Sequence, residues 1–224
     1  MAEYSGFPTE AFRFLTDLSL NNSKDWFEAN RDIYDICWKQ AGLDLIQALA
    51  PGMARFDPPL KARARLNGSL RRINRDVRFS KDKTPYSASL HLVFWTGDHP
   101  NRSAGMHIVL RPDGLGYGAG LYGIEPGRLA RFRGRIVDPV ERQVLLNAVS
   151  KARNVGCHFD EPALKRLPKG FTGDGDWEHL LRRKAFVMRT KGQQPAPDWL
   201  FTPQAPQRLL QITRTLMPLI KWLA

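Results

Sequence analysis

The sequence predicts an α+β fold, in which helices from the N-terminal, middle and C-terminal parts of the chain pack on an antiparallel meander sheet. Apolar residues recur at helical spacing in the first fifty residues, at alternate positions between residues 60 and 122, and at helical spacing again after residue 125. Short turn sequences join the alternating segments. Because no polar linker is long enough to divide the chain, we expect one domain over residues 1–224.

Two helical segments open the chain. The first is indicated by apolar side chains three positions apart: Phe12, Leu15 and Leu18. Thr9 is its expected N-cap. Ser23 is expected to cap a second helix over residues 24–50, which Pro51–Gly52 should end.

Consecutive strands are predicted next, because apolar residues alternate in residues 90–94 and again in residues 106–110. Pro112-Asp113-Gly114 is typical of a hairpin turn, since Pro and Asp favour turn positions and Gly accepts a positive φ. In the strand that follows, every second residue is glycine: Gly114, Gly116, Gly118 and Gly120. One face of that strand therefore lacks side chains, and we expect a closely packed helix there, with another backbone or a ligand as alternatives.

The second half of the chain predicts mostly helices. Residues 125–153 form a helical pattern, and Pro139 is expected to open its second piece. Residues 154–176 are expected to be irregular, because they are rich in Gly and Pro. A short helix over 177–183 and a strand over 185–189 should follow, before a C-terminal helix completes the chain.

The overall charge favours an anionic partner. The chain has a formal net charge of +12, which is compatible with nucleic acid, nucleotides or acidic surfaces, although a bias of Arg over Lys can arise from genome composition alone. Cys37 and Cys157 belong to no C-x-x-C pair, so neither a disulfide framework nor a thiolate zinc site is expected. Without a signal peptide or a long apolar run, the expected location is the cytoplasm.

The positive charge is concentrated in one segment. Residues 61–83 contain nine Lys or Arg against two Asp, a net +7 out of +12. The segment 71–86 reads RRINRDVRFSKDKTPY, in which residues 71–79 are interpreted as a strand followed by a turn. In such a strand Arg75 lies on the apolar face with Ile73, Val77 and Phe79. A guanidinium there needs a carboxylate or a bound anion, because burying it alone costs several kcal/mol.

This strand and turn form the first candidate binding site. Its residues are Arg75, Asp76, Arg78, Lys81, Asp82, Lys83 and Tyr86. Cations beside free backbone N–H groups can hold a phosphate or a carboxylate. Two other interpretations stay open: an internal Arg–Asp network that stabilises the segment, or a basic edge exposed to solvent.

The sequence gives no strong sign of a metal or a cofactor. His91 and His107 could meet across neighbouring strands, but such pairs are more often packed than metal-bound, so no metal site is predicted. Neither a P-loop nor a G-x-S-x-G elbow is present, and the identity of any cofactor stays open.

Several segments together resemble a widespread bacterial and fungal family known as a domain of unknown function. They are FRFLTDLSLNNSKDWFEANR (12–31), RINRDVRFSKDKTPY (72–86), GYGAGLYGIEP (116–126), LKRLPKGF (164–171) and LLRRKAF (180–186). The resemblance implies a single α+β domain and brings no activity, cofactor or catalytic residue. Within the fourth segment, Lys165, Arg166 and Lys169 are cations that could converge on the same binding site.

Three functional hypotheses follow from these observations. The leading one is a cytoplasmic protein that binds a phosphate- or carboxylate-bearing ligand through the basic strand and turn. The second is an enzyme acting on a phosphorylated small molecule or nucleotide, in which Asp76, Asp82 or Tyr86 would handle protons. The third is a nucleic-acid interaction module, in which Phe79 and Tyr86 would stack on bases.

Overall fold

A computed structural model describes residues 4–173, 175–192 and 195–224. It contains a five-stranded antiparallel sheet in the order β1-β2-β3-β5-β4. The strands are β1 (Leu90–Trp95), β2 (Gly105–Arg111), β3 (Gly114–Leu121), β4 (Cys157–Phe159) and β5 (Phe186–Thr190). The predicted α+β class and meander are confirmed, and the Pro112-Asp113 loop joins β2 to β3 as expected.

Helices before, between and after the strands complete the fold. They are α1 (Thr9–Leu20), α2 (Lys24–Ala29), α3 (Arg31–Ile33), α4 (Ala41–Met53), α5 (Pro126–Val137), α6 (Pro139–Asn154), α7 (Glu178–Leu181) and α8 (Ala205–Leu223). A π-helical segment over Tyr34–Gln40 joins α3 to α4, and a 3₁₀ turn over Asp198–Phe201 precedes α8.

The predicted helix boundaries are correct where a side chain caps the helix. The Ser23 hydroxyl accepts a hydrogen bond from the Trp26 N–H at 3.2 Å and begins α2. Pro139 opens α6, as predicted, behind the Asp138 carboxylate, which accepts from the backbone at 2.9 Å. Thr9 is the first residue of α1 rather than its cap, so that prediction was wrong.

Three further predictions were wrong. The single helix expected over 24–50 is divided, since α2 ends at Ala29 and a π-helical segment precedes α4. Helix α4 also continues past Pro51 to Met53, whose side chain is buried in the core. Residues 154–176, expected to be irregular, contain the short strand β4, which pairs with β5.

The hydrophobic core lies between one face of the sheet and the helices. Strands β1 and β2 direct alternate apolar side chains into it, from Leu90, Leu92 and Phe94 and from Met106, Ile108 and Leu110. Helices α1, α4 and α8 pack on these strands and bury their apolar faces there. The alternation read from the sequence thus correctly identified the core face of β1 and β2.

The segment 71–79 is not a strand, contrary to the prediction. It is extended and pairs with the returning chain at one bridge, between Asn74 and Tyr86. The predicted alternation persists over most of the segment, because Ile73 is buried and Arg72 and Asn74 are exposed. The segment folds back on residues 84–87 through local hydrogen bonds, so it lies outside the five-stranded ladder. Phe79, expected on the apolar face, is 96% exposed.

The glycines of β3 accommodate a neighbouring strand rather than the expected helix. A Cβ atom at Gly118 would lie 2.5 Å from the Met188 carbonyl oxygen of β5. At Gly120, where φ is +152°, a Cβ atom would overlap the Phe186 carbonyl oxygen. Bare backbone at these positions therefore lets β3 and β5 approach each other closely.

This packing predicts opposite effects of two Gly→Ala substitutions. Gly120→Ala should lower the free energy of unfolding by about 2–4 kcal/mol, because the methyl group meets the β5 backbone at an unfavourable φ. Gly134→Ala should raise it by about 0.5–1 kcal/mol, because Gly134 lies in α5 with open space around it. Urea denaturation of both variants measures the difference, and equal values would contradict this explanation of the β3–β5 contact.

Candidate functional site

The predicted basic segment neutralises much of its charge internally. The Arg75 guanidinium donates to the Asp82 carboxylate at 2.5 Å and to the Thr84 hydroxyl and carbonyl. Asp82 also accepts from the Thr84 N–H at 2.9 Å. These hydrogen bonds, from the Thr84 backbone first and then from Arg75, lower the pKa of Asp82 to about 2. The half-buried Arg75 therefore has the carboxylate that its position requires.

The other charges of the turn are mostly satisfied as well. The Arg78 guanidinium makes a two-pronged contact with Asp76 at 3.0 and 2.7 Å, and this contact lowers the pKa of Asp76. The Lys83 ammonium donates to the Val77 carbonyl at 2.9 Å. Lys81 is exposed and forms no hydrogen bond or ion pair within the described part of the chain. The internal network thus accounts for Arg75, Arg78 and Lys83.

The remaining predicted site residues do not join this turn. Tyr86 is buried and its ring stacks on Phe27, with ring centroids 4.1 Å apart, so it offers no stacking surface. Lys165, Arg166 and Lys169 are exposed on the loop that precedes α7. Among the described residues, no hydrogen bond or ion pair connects these three cations with residues 75–86.

The Asp82 network predicts a dependence of stability on pH. Because the folded protein lowers the pKa of Asp82 to about 2, the stabilising contacts are complete above the unfolded pKa, near 4, and are lost as the pH falls toward 2. Asp82→Asn should therefore cost stability at pH 6, and its deficit relative to the wild type should shrink between pH 4 and pH 2. Urea denaturation at four pH values measures this, and a constant deficit would show that the carboxylate charge is irrelevant.

A cleft of about 520 Å³ lies where β3 and β4 end and β5 begins, and none of the residues of this turn line it. Tyr122 contributes from the end of β3, and other residues come from the loop after β4, the chain before β5 and β5 itself. Its lining consists of Tyr122, Asp160, Glu161, Ala163, Arg183, Lys184, Ala185, Val187 and Arg189. Three cations thus face two carboxylates.

Arg183 is the exceptional residue of this cleft, because its side chain is only 7% exposed. Its Nη1 donates to the Asp160 carbonyl at 2.7 Å, and its guanidinium lies over the Phe159 ring at 4.0 Å. Its Nε is buried without a hydrogen-bond partner. Within residues 4–173, 175–192 and 195–224, no carboxylate forms an ion pair with it. Burial lowers the pKa of Arg183 to about 10, which still leaves it protonated at neutral pH.

The neighbouring cations differ from Arg183. The exposed Arg189 guanidinium donates to the Asp160 carboxylate at 2.7 Å, so this pair is neutralised. Lys184 is exposed and forms no ion pair among the described residues. The negative charges of Glu161 and Asp160 act on Arg183, where they raise its pKa against the larger effect of burial. The direct contacts of the Arg183 guanidinium are a main-chain carbonyl and an aromatic ring, and the Glu161 and Asp160 carboxylates act on it without an ion-pair contact.

Buried apolar residues before and after Arg183 in the sequence hold its side chain at the wall of the cleft. Leu180, Leu181 and Phe186 are buried in the core and anchor the segment. Arg133 of α5 donates to the Leu181 carbonyl at 2.9 Å and to the Arg183 carbonyl at 3.2 Å. The sequence analysis missed Arg183 because a run of three basic residues usually indicates a solvated face. The apolar residues that flank the run on both sides were the signal that could have revealed it.

A second basic cleft, of about 450 Å³, lies beside the start of α5 and is lined by Arg102, Gly123, Glu125, Gly127, Arg128 and Arg131. The Arg128 guanidinium donates to the carbonyls of Arg102, at 3.0 Å, and of Leu223, at 2.5 Å. In the described chain its hydrogen bonds all go to main-chain carbonyls, and none of the three arginines forms an ion pair. The consecutive residues Tyr122 and Gly123 line the first and the second cleft respectively.

The two strand histidines form a hydrogen-bonded pair. His91 Nε2 and His107 Nδ1 are 2.9 Å apart, and burial lowers the pKa of His91 to about 3 and that of His107 to about 4. Both imidazoles are therefore neutral at physiological pH. Among the described residues, no group of three or more His, Cys, Asp or Glu is arranged to hold a metal ion.

Comparison with known proteins identifies the family of this chain. A family model described as conserved hypothetical protein (DUF2461) matches residues 10–222. The chain belongs to this family. No curated protein and no solved structure matches it. Among the described residues, none of the helices has both the length and the apolar character needed to cross a membrane.

Proposed function

We propose that this DUF2461 protein binds a phosphate- or carboxylate-bearing ligand in the cleft that contains Arg183. The observation that supports this is a guanidinium with 7% exposure, at the wall of a cleft, without an ion-pair partner among the described residues. Isolated charges in protein interiors cost several kcal/mol, and Glu161 and Asp160 act on this cation without an ion-pair contact, which leaves room for a directly bound anion. A bound ligand would supply it.

The donors of Arg183 suit an oxyanion. Nη1 is occupied by the Asp160 carbonyl and Nε is buried, which leaves Nη2 as the donor that a ligand can reach. The ring of Phe159 and the buried side chains beside the guanidinium reduce screening by water, which strengthens a charge-assisted hydrogen bond. Lys184 adds a second positive charge on the cleft wall, and Arg189 adds a third that is shared with Asp160.

The basic strand and turn remain a second proposed location for the same ligand. Lys81 has no partner in the described chain, and the Arg78–Asp76 pair is exposed enough to exchange Asp76 for an outside anion. The enzymatic alternative is less favoured on this turn. Hydrogen bonds lower the pKa values of Asp76 and Asp82, so both carboxylates stay ionised at neutral pH and are poor proton donors. A cytoplasmic location also remains a prediction.

Calorimetric titration with pyrophosphate tests the proposal. Pyrophosphate should bind the wild-type protein with an affinity that falls as sodium chloride increases. Arg183→Met keeps the apolar stem of the side chain and removes its charge, so we expect binding to weaken at least about tenfold, the loss typical of one charge-assisted hydrogen bond. Unchanged affinity in a folded Arg183→Met protein would rule out the cleft as the site.

The double variant Arg78→Met/Lys81→Met is the matched control, because it removes two exposed cations from the basic turn. If the ligand binds in the Arg183 cleft, this variant should titrate like the wild type. If it loses binding while Arg183→Met retains it, the ligand occupies the turn, and the proposed location is wrong. Circular dichroism before each titration confirms that every variant is folded.

A further inference from the structure

Resting on that proposed function, we propose that the anionic ligand is a single-stranded polynucleotide. Its phosphates would occupy both basic clefts, and one of its bases would stack on Tyr122 between them. The juxtaposition that supports this is an exposed aromatic side chain that lines the Arg183 cleft and is followed in the chain by Gly123, which lines the second cleft with Arg102, Arg128 and Arg131.

Tyr122 has the properties of a stacking platform. Its side chain is 83% exposed, although the preceding residue, Leu121, is buried in the core and fixes the end of β3. An exposed aromatic ring can stack on the face of a base, and the apolar area that this contact buries favours binding. Tyr122 lines the cleft of Arg183, so a base on its ring places the attached phosphate near that guanidinium.

Gly123, the residue after Tyr122, lines the second cleft. A Cβ atom at this position would lie 3.1 Å from the Asn101 carbonyl oxygen, so the absence of a side chain lets the loop that bears Arg102 approach. This contact brings Arg102 beside Arg128 and Arg131 at the start of α5. Two consecutive residues of the chain therefore line the two clefts.

Like charges are crowded in the second cleft, which favours the binding of an anion there. Burial, and then repulsion from Arg131, lower the pKa of Arg128, which shows that like charges are crowded there. The lining contains one carboxylate, Glu125, against three guanidinium groups. Main-chain carbonyls fix the orientation of Arg128 without neutralising it. An anion in this cleft would relieve the repulsion.

A polynucleotide fits this arrangement better than a small anion. A small anion can fill one cleft but leaves the other, and it leaves the exposed ring of Tyr122 without a role. A duplex hides the faces of its bases, whereas a single strand presents them to aromatic side chains while its phosphates follow basic grooves. The net charge of +12 favours a polyanion as well.

Fluorescence anisotropy with labelled oligothymidylate of twelve nucleotides tests the inference on the full chain. We expect the oligonucleotide to bind more tightly than thymidine monophosphate and more tightly than the matching duplex. Tyr122→Ala should weaken oligonucleotide binding at least about fivefold, and Tyr122→Phe should preserve it, since stacking on a base is worth about 1–3 kcal/mol.

The dependence on salt separates the two clefts. Each phosphate contact contributes about −0.7 to the slope of log affinity against log salt concentration for a single strand. Arg131→Ala and Arg183→Met should each make this slope shallower by about that amount. Arg13→Ala removes an exposed arginine of α1 that lines neither cleft, and it should change neither the slope nor the affinity.

The inference is overturned if polyphosphate of equal charge competes as well as the oligonucleotide and Tyr122→Ala binds normally. That result would be compatible with an anion site in the Arg183 cleft, but it would exclude a single-stranded polynucleotide as the ligand. Equal binding of monophosphate and oligonucleotide would also overturn it, because the second cleft would then be unused. If no variant loses pyrophosphate binding and the oligonucleotide does not bind, the proposed function itself is rejected.

Discussion

The contact between β3 and β5 is the constraint on which the site depends. The two strands approach so closely that a side chain at Gly118 or Gly120 would meet the backbone of β5. This contact places the end of β3, with Tyr122, beside the chain that leads into β5, with Arg183. Strand β4 then pairs on the far side of β5 and brings the Asp160 carbonyl to the guanidinium. The glycines at alternate positions of β3 therefore determine the geometry of the cleft as well as the pairing of the strands.

The protein handles its excess positive charge in two different ways. Around residues 75–84, carboxylates two and seven positions away neutralise the arginines, and the resulting network stabilises a loop that lies outside the sheet. Around Arg183 and Arg128, the guanidinium groups bind main-chain carbonyls, which fix their orientation but leave their charge. The first arrangement stabilises local structure through its own ion pairs. The second resembles a binding surface, because orientation without neutralisation is what an incoming anion requires.

Local patterns in the sequence predicted the elements that local forces determine. Alternation identified β1 and β2, and the Pro112-Asp113-Gly114 turn fixed their connection to β3, since φ preferences act within a few residues. Strand β4 was missed because three residues, Cys157–Phe159, are too short to show a period. Arg75 and Arg183 could not be distinguished from the sequence. Whether a guanidinium meets Asp82 or only a carbonyl of Asp160 depends on tertiary contacts that spacing does not reveal.

The most direct measurement is the free energy of unfolding of Arg183→Met in a buffer that contains only weakly binding anions. If this buried charge is retained for a ligand, its replacement by an apolar side chain of similar length should be neutral or stabilising within about 1 kcal/mol. A loss of about 3–5 kcal/mol would contradict the account. It would show that the guanidinium contributes to the folded state through its contacts with Asp160 and Phe159 alone.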